Sequence, residues 1–260
     1  MSEDLVLIRD ADGVRYLTLN RPQVRNAMSL ALLEELVGAL DDAEKSDAIR
    51  IIVVRGADGT FSAGADIKDM ANARNADDPA KAIHELSCAF GAMVARFATT
   101  PKTIITALEG AVMGGGFGLA CASDIAIASH TVKFALPEAT LGLIPAQIAP
   151  VLLERIGYSE AKRLTVTGAR IGVEEAMRIG LVHAVTDDMD TALDQAVEHA
   201  LTCAPQAVAV SKKLLRDARF VQSDTLVQHA ADLFVDAVTG EEGKEGTLAF
   251  VEKRKARWMP

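Results

Sequence analysis

A chain of 260 residues, half of them hydrophobic and only 4% aromatic, can bury a sizeable core that is mainly aliphatic. Its formal net charge of −9 excludes a general binder of nucleic acid or acidic membrane. Cys88, Cys121 and Cys203 lack paired or zinc-like spacing, which suggests free thiols in a reducing compartment and no metal site. The start, Met1-Ser-Glu-Asp4, has no apolar signal core, and no apolar run of about 20 residues goes uninterrupted. The expectation is a cytoplasmic protein with no membrane segment. The clearest local basic run is Lys253 to Arg257.

In chain order, Leu5 to Arg9 and Val14 to Leu19 read as strands around Asp10-Ala-Asp-Gly13, a hairpin signal. Asn20 to Ala27 is a polar loop. Ser29 suits the N-cap of a helix from Leu30 to Ala43. Ile49 to Arg55 is an apolar strand ending at Gly56. Phe61 to Lys68 is a small-residue turn leading into a helix, Asn72 to Pro79 a polar loop, and Ala80 to Thr99 a long helix that stops before Pro101. Thr103 to Leu108 is a strand, Phe117 to Ser123 a buried helix and Ile125 to Ala128 a strand. Pro137, Gly142 and Pro145 argue against regular structure between Thr131 and Pro145. Helices are expected at Ala149 to Ile156, Ser159 to Thr167 and Val173 to Ile179, with a strand at Leu181 to Val185. From Thr191 the strand alternation is lost and the tail reads as helical. The pattern is α/β with a largely parallel sheet. The domain expectation is a core over 1–195 and a helical region over 196–260.

The stretch that organises the rest is Ala107 to Ala128, with Gly114, Gly115, Gly116 and Gly118 inside five residues. Glycines opening a helix let a ligand approach the backbone, where free N–H groups hold negative charge. A dinucleotide site needs a third glycine that is Cys121 or Leu119 here, and no Gly-Lys-Ser/Thr closes a P-loop. The remaining readings are an oxyanion hole or a turn that only packs a helix against a sheet. Glu138, between Pro137 and Ala139 in apolar surroundings, suits a carboxyl group with a raised pKa; the plain alternative is an exposed loop glutamate. Asp66 reads as a cap or brace of the second glycine turn and Asp124 as structural. The five histidines lack ligand spacing, and Ser62 lacks the context of a nucleophile elbow. Met93, Met113 and Met177 read as core.

Together these pieces resemble the crotonase (enoyl-CoA hydratase/isomerase) family over nearly the whole chain. The carriers are Asn20-Arg-Pro22 with Asn26-Ala27, Phe61 to Lys68, Gly110 to Gly118 with Cys121 to Ile125, Phe134 to Glu138 with Leu141 to Pro145, and Phe250 to Ala256. The resemblance implies a spiral of ββα turns with a helical C-terminal trimerisation region. It implies an acyl-CoA thioester whose enolate oxygen is held by the N–H groups of Ala65 and Gly115, with Glu138 as the acid–base group. Ala63, Asp66, Ile67 and Lys68 would line the adenine and pantetheine path. Gly114 would line the substrate site and Gly118 its acyl end, and Arg25 would approach the CoA phosphates. Phe250 and Lys253 match residues that close the CoA site from a neighbouring subunit. No cofactor is implied beyond coenzyme A as part of the substrate; the partner is a second copy of the chain, as a homotrimer or a dimer of trimers.

The chain departs from the family pattern in two places. Hydratases of the family carry a first glutamate in Gly-Gly-Gly-x-Glu, and Gly118 stands there; Pro145-Ala-Gln-Ile-Ala-Pro150 replaces Pro-Gly-x-Gly-Gly-Thr. The combination looks like the bacterial 3-methylglutaconyl-CoA and isohexenylglutaconyl-CoA hydratase branch of leucine and acyclic terpene breakdown. Gly118 is expected to leave space for a branched or carboxylated acyl chain. The implied activity is hydration of an enoyl-CoA. A Δ3,Δ2-enoyl-CoA isomerase using Glu138 alone, a glutaconyl thioester decarboxylase and a non-catalytic CoA-binding module are the alternatives.

Overall fold

In the computed structural model, residues 4–220 and 223–260 are described. Met1 to Glu3, part of the acidic start, and residues 221–222, part of the expected helical tail, lie outside them. The first hairpin follows its turn chemistry. β1 (Val6–Ala11) and β2 (Val14–Leu19) pair antiparallel with Ala11 opposite Val14. Asp12 and Gly13 take φ of 49° and 82°, the left-handed turn that matches strand twist. Ser29 caps α1 (Leu30–Lys45) by accepting from the Leu32 N–H, and Leu32, Leu36 and Leu40 bury one helical face. β3 (Ile51–Gly56) lies parallel to β2. Ile52 and Val54 face one hydrophobic cluster, Ile51 and Val53 the other. Burial on both faces explains its unbroken apolar run.

α2 (Ile67–Arg74) takes in Asn72 to Arg74, which the sequence suggested as loop; the Asn75 N–H donates back to Ala71 and Asn72 and closes the helix there. α3 (Pro79–Thr99) is followed by β4 (Thr103–Leu108), β5 (Ala111–Met113), α4 (Gly115–Ala122), β6 (Ile125–Ser129) and β7 (Lys133–Ala135). α5 (Ala149–Thr167) joins two expected helices across Gly157, whose φ of 70° and ψ of 164° interrupt it. β8 (Arg170–Ile171), α6 (Val173–Arg178), β9 (Ala184–Thr186), α7 (Met189–Leu201), α8 (Pro205–Asp217), α9 (Ser223–Thr239) and α10 (Glu241–Glu252) complete the chain.

The strands form a six-stranded sheet ordered β1-β2-β3-β4-β6-β9, antiparallel only at β1, and a three-stranded sheet ordered β5-β7-β8. Within the small sheet, β5 and β7 are parallel while β8 is antiparallel. This sheet corrects the sequence reading, which gave no regular structure between Thr131 and Pro145. β7 forms there because Val112 pairs with Phe134 across the turn of chain between them, a tertiary pairing that local proline and glycine do not forbid. The last parallel strand, expected at Leu181 to Val185, sits at Ala184–Thr186, where it finds its β6 partners.

α7 lays Leu193 and Val197 on the sheet face opposite α1, and residue 196 falls inside this helix. Arg50 ties the tail to the core, donating to Trp258 O at 2.6 Å, Leu201 O at 2.8 Å and Cys203 O at 2.7 Å. Glu245 holds Arg254 by two bonds and accepts from the Arg257 N–H, so the basic run is partly neutralised. Among the described residues no helix is long and apolar enough to cross a membrane.

Candidate active site

Two backbone bends meet beside one carboxyl group. The first is anchored by buried polar side chains. Asn26, at φ 53°, accepts from the Arg21 N–H and donates to the Ala57 and Thr60 carbonyls at 3.0 and 2.6 Å. Ser62 Oγ donates to Asn26 O and accepts from the Gly64 N–H, which gives it a structural role. Residues 25–28 then run beside 63–66: Ala63 N–H donates to Arg25 O, Met28 N–H to Gly64 O and Asp66 N–H to Met28 O. Met28 and Ala65 form a parallel bridge whose bonds run through Gly64 O and the Asp66 N–H, so the Ala65 N–H points away from it. Asp66 caps α2 through the Lys68 N–H and pairs with Arg21 at 2.8 Å. Burial opposes its charge, but these partners prevail and hold its pKa below the ordinary value.

The second bend is bonded to the first. Phe61 N–H donates to Glu109 O, Ser62 N–H to Ala111 O and Met113 N–H to Ser62 O. Gly114 turns the chain into α4 at φ 49° and ψ −113°, a conformation open to glycine. A Cβ on Gly64, itself at φ 97°, would lie 3.6 Å from Gly115 N and 3.0 Å from Met113 O. The bends are therefore in contact. Neither the Ala65 nor the Gly115 N–H meets a protein acceptor among the described residues. Gly115 opens α4, where the first N–H groups have no helical partner and the dipole is positive. At the other end of α4, Arg155 donates to Cys121 O and Ser123 O, opposing the negative pole.

Glu138 begins a 3-10 turn, Glu138–Leu141, just after β7. Because β7 pairs with β5, the strand that delivers Gly114, the carboxyl comes to the glycine bend: Oε1 lies 3.0 Å from where a Gly114 Cβ would stand. Oε2 is buried with no hydrogen-bond partner among the described residues. Burial pushes this carboxyl above the ordinary carboxylate range, against a weaker opposing bond from its own N–H. A buried acceptor with no partner is costly unless a ligand or water completes it.

The surroundings correct one expectation. Gly118 leaves no open space. A Cβ there would stand 2.2 Å from Ile148 Cγ2 and 2.9 Å from Ile148 Cβ, so isoleucine from the altered Pro145–Pro150 segment fills the volume that a side chain on Gly118 would need. Met28 Cε and the Phe90 ring crowd the Cβ direction of Gly115 at 2.6–2.9 Å, walling the bend with apolar atoms. Gln147, next to Ile148, reaches α3, where its Nε2 donates to Ser87 Oγ at 2.9 Å. Sequence reading missed Met28, Phe90, Ser87, Gln147 and Ile148. The available signals were Gly91, a glycine inside a long helix, and the exchange of a glycine for Ile148.

Other expected site residues lie around this centre. Arg25, at φ 53°, and Lys68 are exposed, Ala63 is half-buried, and Ile67 is 67% exposed at the start of α2. Phe250 is 85% exposed on α10, and Lys253 ends that helix at φ 56°. Asp124 is structural: Oδ2 accepts from the Ile104 N–H and from Lys212 Nζ.

Comparison with known proteins supplies the lineage. The family described as enoyl-CoA hydratase/isomerase matches residues 9–260. The solved structure of Pseudomonas aeruginosa AtuE is 46% identical, covering 99% of this chain and 100% of that one, with a TM-score of 0.95. An enoyl-CoA hydratase/isomerase from Marinobacter aquaeolei is 45% identical with 98% of each chain covered and a TM-score of 0.93. A probable enoyl-CoA hydratase of Bacillus subtilis is 34% identical over 249 residues, 94% of this chain and 95% of the relative. The α/β spiral with its helical C-terminal region is thus a fold shared with these structures, and the chain belongs to the enoyl-CoA hydratase/isomerase family.

Proposed function

We propose that this protein is an enoyl-CoA hydratase, adding water across the 2,3 double bond of an acyl-CoA thioester. The observation that carries the reading is the half-buried Glu138 carboxyl, whose Oε2 has no hydrogen-bond partner among the described residues, set against a bend whose Gly115 N–H likewise has no protein acceptor among them. The N–H groups of Ala65 and Gly115 polarise the thioester carbonyl and hold the negative charge that develops on its oxygen; loss of one such donor costs about 100-fold or more in rate. Glu138 as carboxylate takes a proton from water while the oxygen adds to C3. The same carboxyl then gives a proton to C2 and returns to its starting form. A pKa raised by burial suits both halves of that exchange.

Arg25 is the cation for the CoA phosphates, and Ala63, Asp66, Ile67, Lys68 and Gly114 shape the path to the bend. Phe250 and Lys253 complete the CoA site of a neighbouring copy in a homotrimer or dimer of trimers; the exposed Phe234, Val235, Leu248, Phe250 and Val251 of α9 and α10 support burial of this region against another chain. The acyl group we assign is a branched glutaconyl type, in leucine or acyclic terpene catabolism, on the paired replacements at Gly118 and Pro145–Pro150. Purified enzyme should hydrate crotonyl-CoA and 3-methylglutaconyl-CoA, and Glu138→Gln should abolish turnover while keeping CoA-thioester binding by calorimetry. Unchanged turnover in that variant removes Glu138 from the mechanism.

A Δ3,Δ2-enoyl-CoA isomerase is the second reading. Ile148 occupies the place beside Gly118 where a second acid would stand, and a single carboxyl can carry a proton between C2 and C4. Incubation with a 3-enoyl-CoA separates the two: isomer formed without water addition favours the isomerase.

A further inference from the structure

Gln147 and Ile148 are consecutive side chains from the segment that follows Glu138, and each sits on a glycine of a different helix. Ile148 covers Gly118 on α4, and Gln147 covers Gly91 on α3, where a Cβ would meet its Oε1 at 2.3 Å and its Cδ at 2.7 Å. Gly91 follows Phe90, whose ring packs over Gly115. Ile148 therefore covers α4 about one helical turn, ~5 Å, along from Gly115, a distance that about four carbon–carbon bonds span, and Gln147, its chain neighbour, packs on α3 next to Phe90, whose ring walls the same bend.

Along the α3–α4 seam the neighbours named above are apolar: Met28, Phe90 and Ile148. Gln147 is the polar exception. Ser87 fixes its orientation through one amide N–H. The second N–H and the amide oxygen have no protein partner among the described residues, and the residue is only partly buried. An amide has two donors and a carbonyl with two acceptor sites, so one N–H and the carbonyl oxygen are left to meet a ligand.

We propose that Gln147, oriented by Ser87, determines acyl-group specificity by donating its free N–H to an oxygen at the far end of the acyl chain, a carboxylate of a dicarboxylic enoyl thioester. This rests on the acyl-CoA hydratase reading. Ile148 closes the apolar side of the same pocket and Gln147 supplies its polar end. A hydrogen bond to a charged acceptor is the strong kind, and its loss corresponds to a discrimination of about 10- to 100-fold.

Glutaconyl-CoA and crotonyl-CoA form a matched pair that differs in the distal carboxylate. The ratio of their kcat/KM values is measured for wild type, Gln147→Leu, Gln147→Glu and Ser87→Ala. The ratio is expected to fall about 10- to 100-fold in Gln147→Leu. It should fall further in Gln147→Glu, which keeps the shape and sets a like charge against the substrate, and less in Ser87→Ala, which frees the amide to rotate. A fall in the Glu variant decides the matter if the Leu variant does not fold. Hydration of crotonyl-CoA with a ratio that none of the variants moves by more than about twofold, or with glutaconyl-CoA refused by wild type, overturns this inference alone. A wild type that hydrates neither thioester overturns the hydratase reading with it.

Discussion

Gly118→Ala adds one methyl group to α4, and the structure predicts what it costs. The new Cβ would stand 2.2 Å from Ile148 Cγ2, against an optimum of ~3.5–4.0 Å for carbon pairs. Ile148 is 2% exposed, so it cannot swing into solvent. On an unobstructed helix the change would stabilise by about 1 kcal/mol through helix propensity. Overpacking of a dense core costs ~1–3 kcal/mol, and an overlap this deep belongs at the upper end. The net expectation is a loss of about 2 kcal/mol, or roughly 4–8 °C in Tm for a chain of this size. In an Ile148→Ala background the obstruction is gone, and Gly118→Ala should stabilise by up to ~1 kcal/mol. The two positions should then couple by about 2–3 kcal/mol in a double-mutant cycle. Thermal and urea melts of the four proteins at one protein concentration measure this. Equal stability of Gly118→Ala and wild type, or the same loss in both backgrounds, refutes the packing argument.

The acid limb of kcat/KM should lie above the ordinary carboxylate pKa, because burial raises Glu138 and the base form is needed; a limb at or below pH 4.5 contradicts this. The same shift has a stability consequence. A carboxyl whose folded pKa exceeds its unfolded one favours folding below the unfolded pKa and loses that contribution as pH rises through the folded pKa. Glu138→Gln should therefore melt higher than wild type at neutral and alkaline pH, with the gap closing toward pH 4; a gap independent of pH would sink the assignment. Glu245→Gln should release the C-terminal tail, seen as faster tryptic cleavage at Lys253 to Arg257. In wild type the Arg254 partner holds the Glu245 pKa down to about 2, so this contribution to stability is present at neutral pH and is lost as pH falls below the ordinary carboxylate range toward 2. Equal cleavage of the two proteins counts against the tether.

Much of this architecture is legible in local chemistry. The Asp12–Gly13 turn, the Ser29 cap and the doubly buried run of β3 each follow from residues close in sequence. The site is legible in part. The glycines at 64, 114 and 115 mark backbone approach, and Glu138 marks a carboxyl in apolar company. What was not legible depends on distant partners. β5, β7 and β8 are two or three residues long and exist because they find one another. The occupation of the Gly118 volume by Ile148 is invisible without coordinates, since neither residue announces the other. Likewise, the basic look of Lys253 to Arg257 does not reveal that Glu245 already holds Arg254.

The donors proposed to hold the substrate oxygen, the N–H groups of Ala65 and Gly115, belong to the polypeptide chain itself. Replacing a side chain other than by proline leaves them in place; it can only tilt or crowd them, as Met28, Phe90 and the Asn26–Ser62 bonds already constrain. The lining can therefore be rewritten, with glycine at 118 and isoleucine at 148, while the backbone of the two bends persists. Such a scaffold can change the side chains around its bends far more readily than it can change the bends themselves.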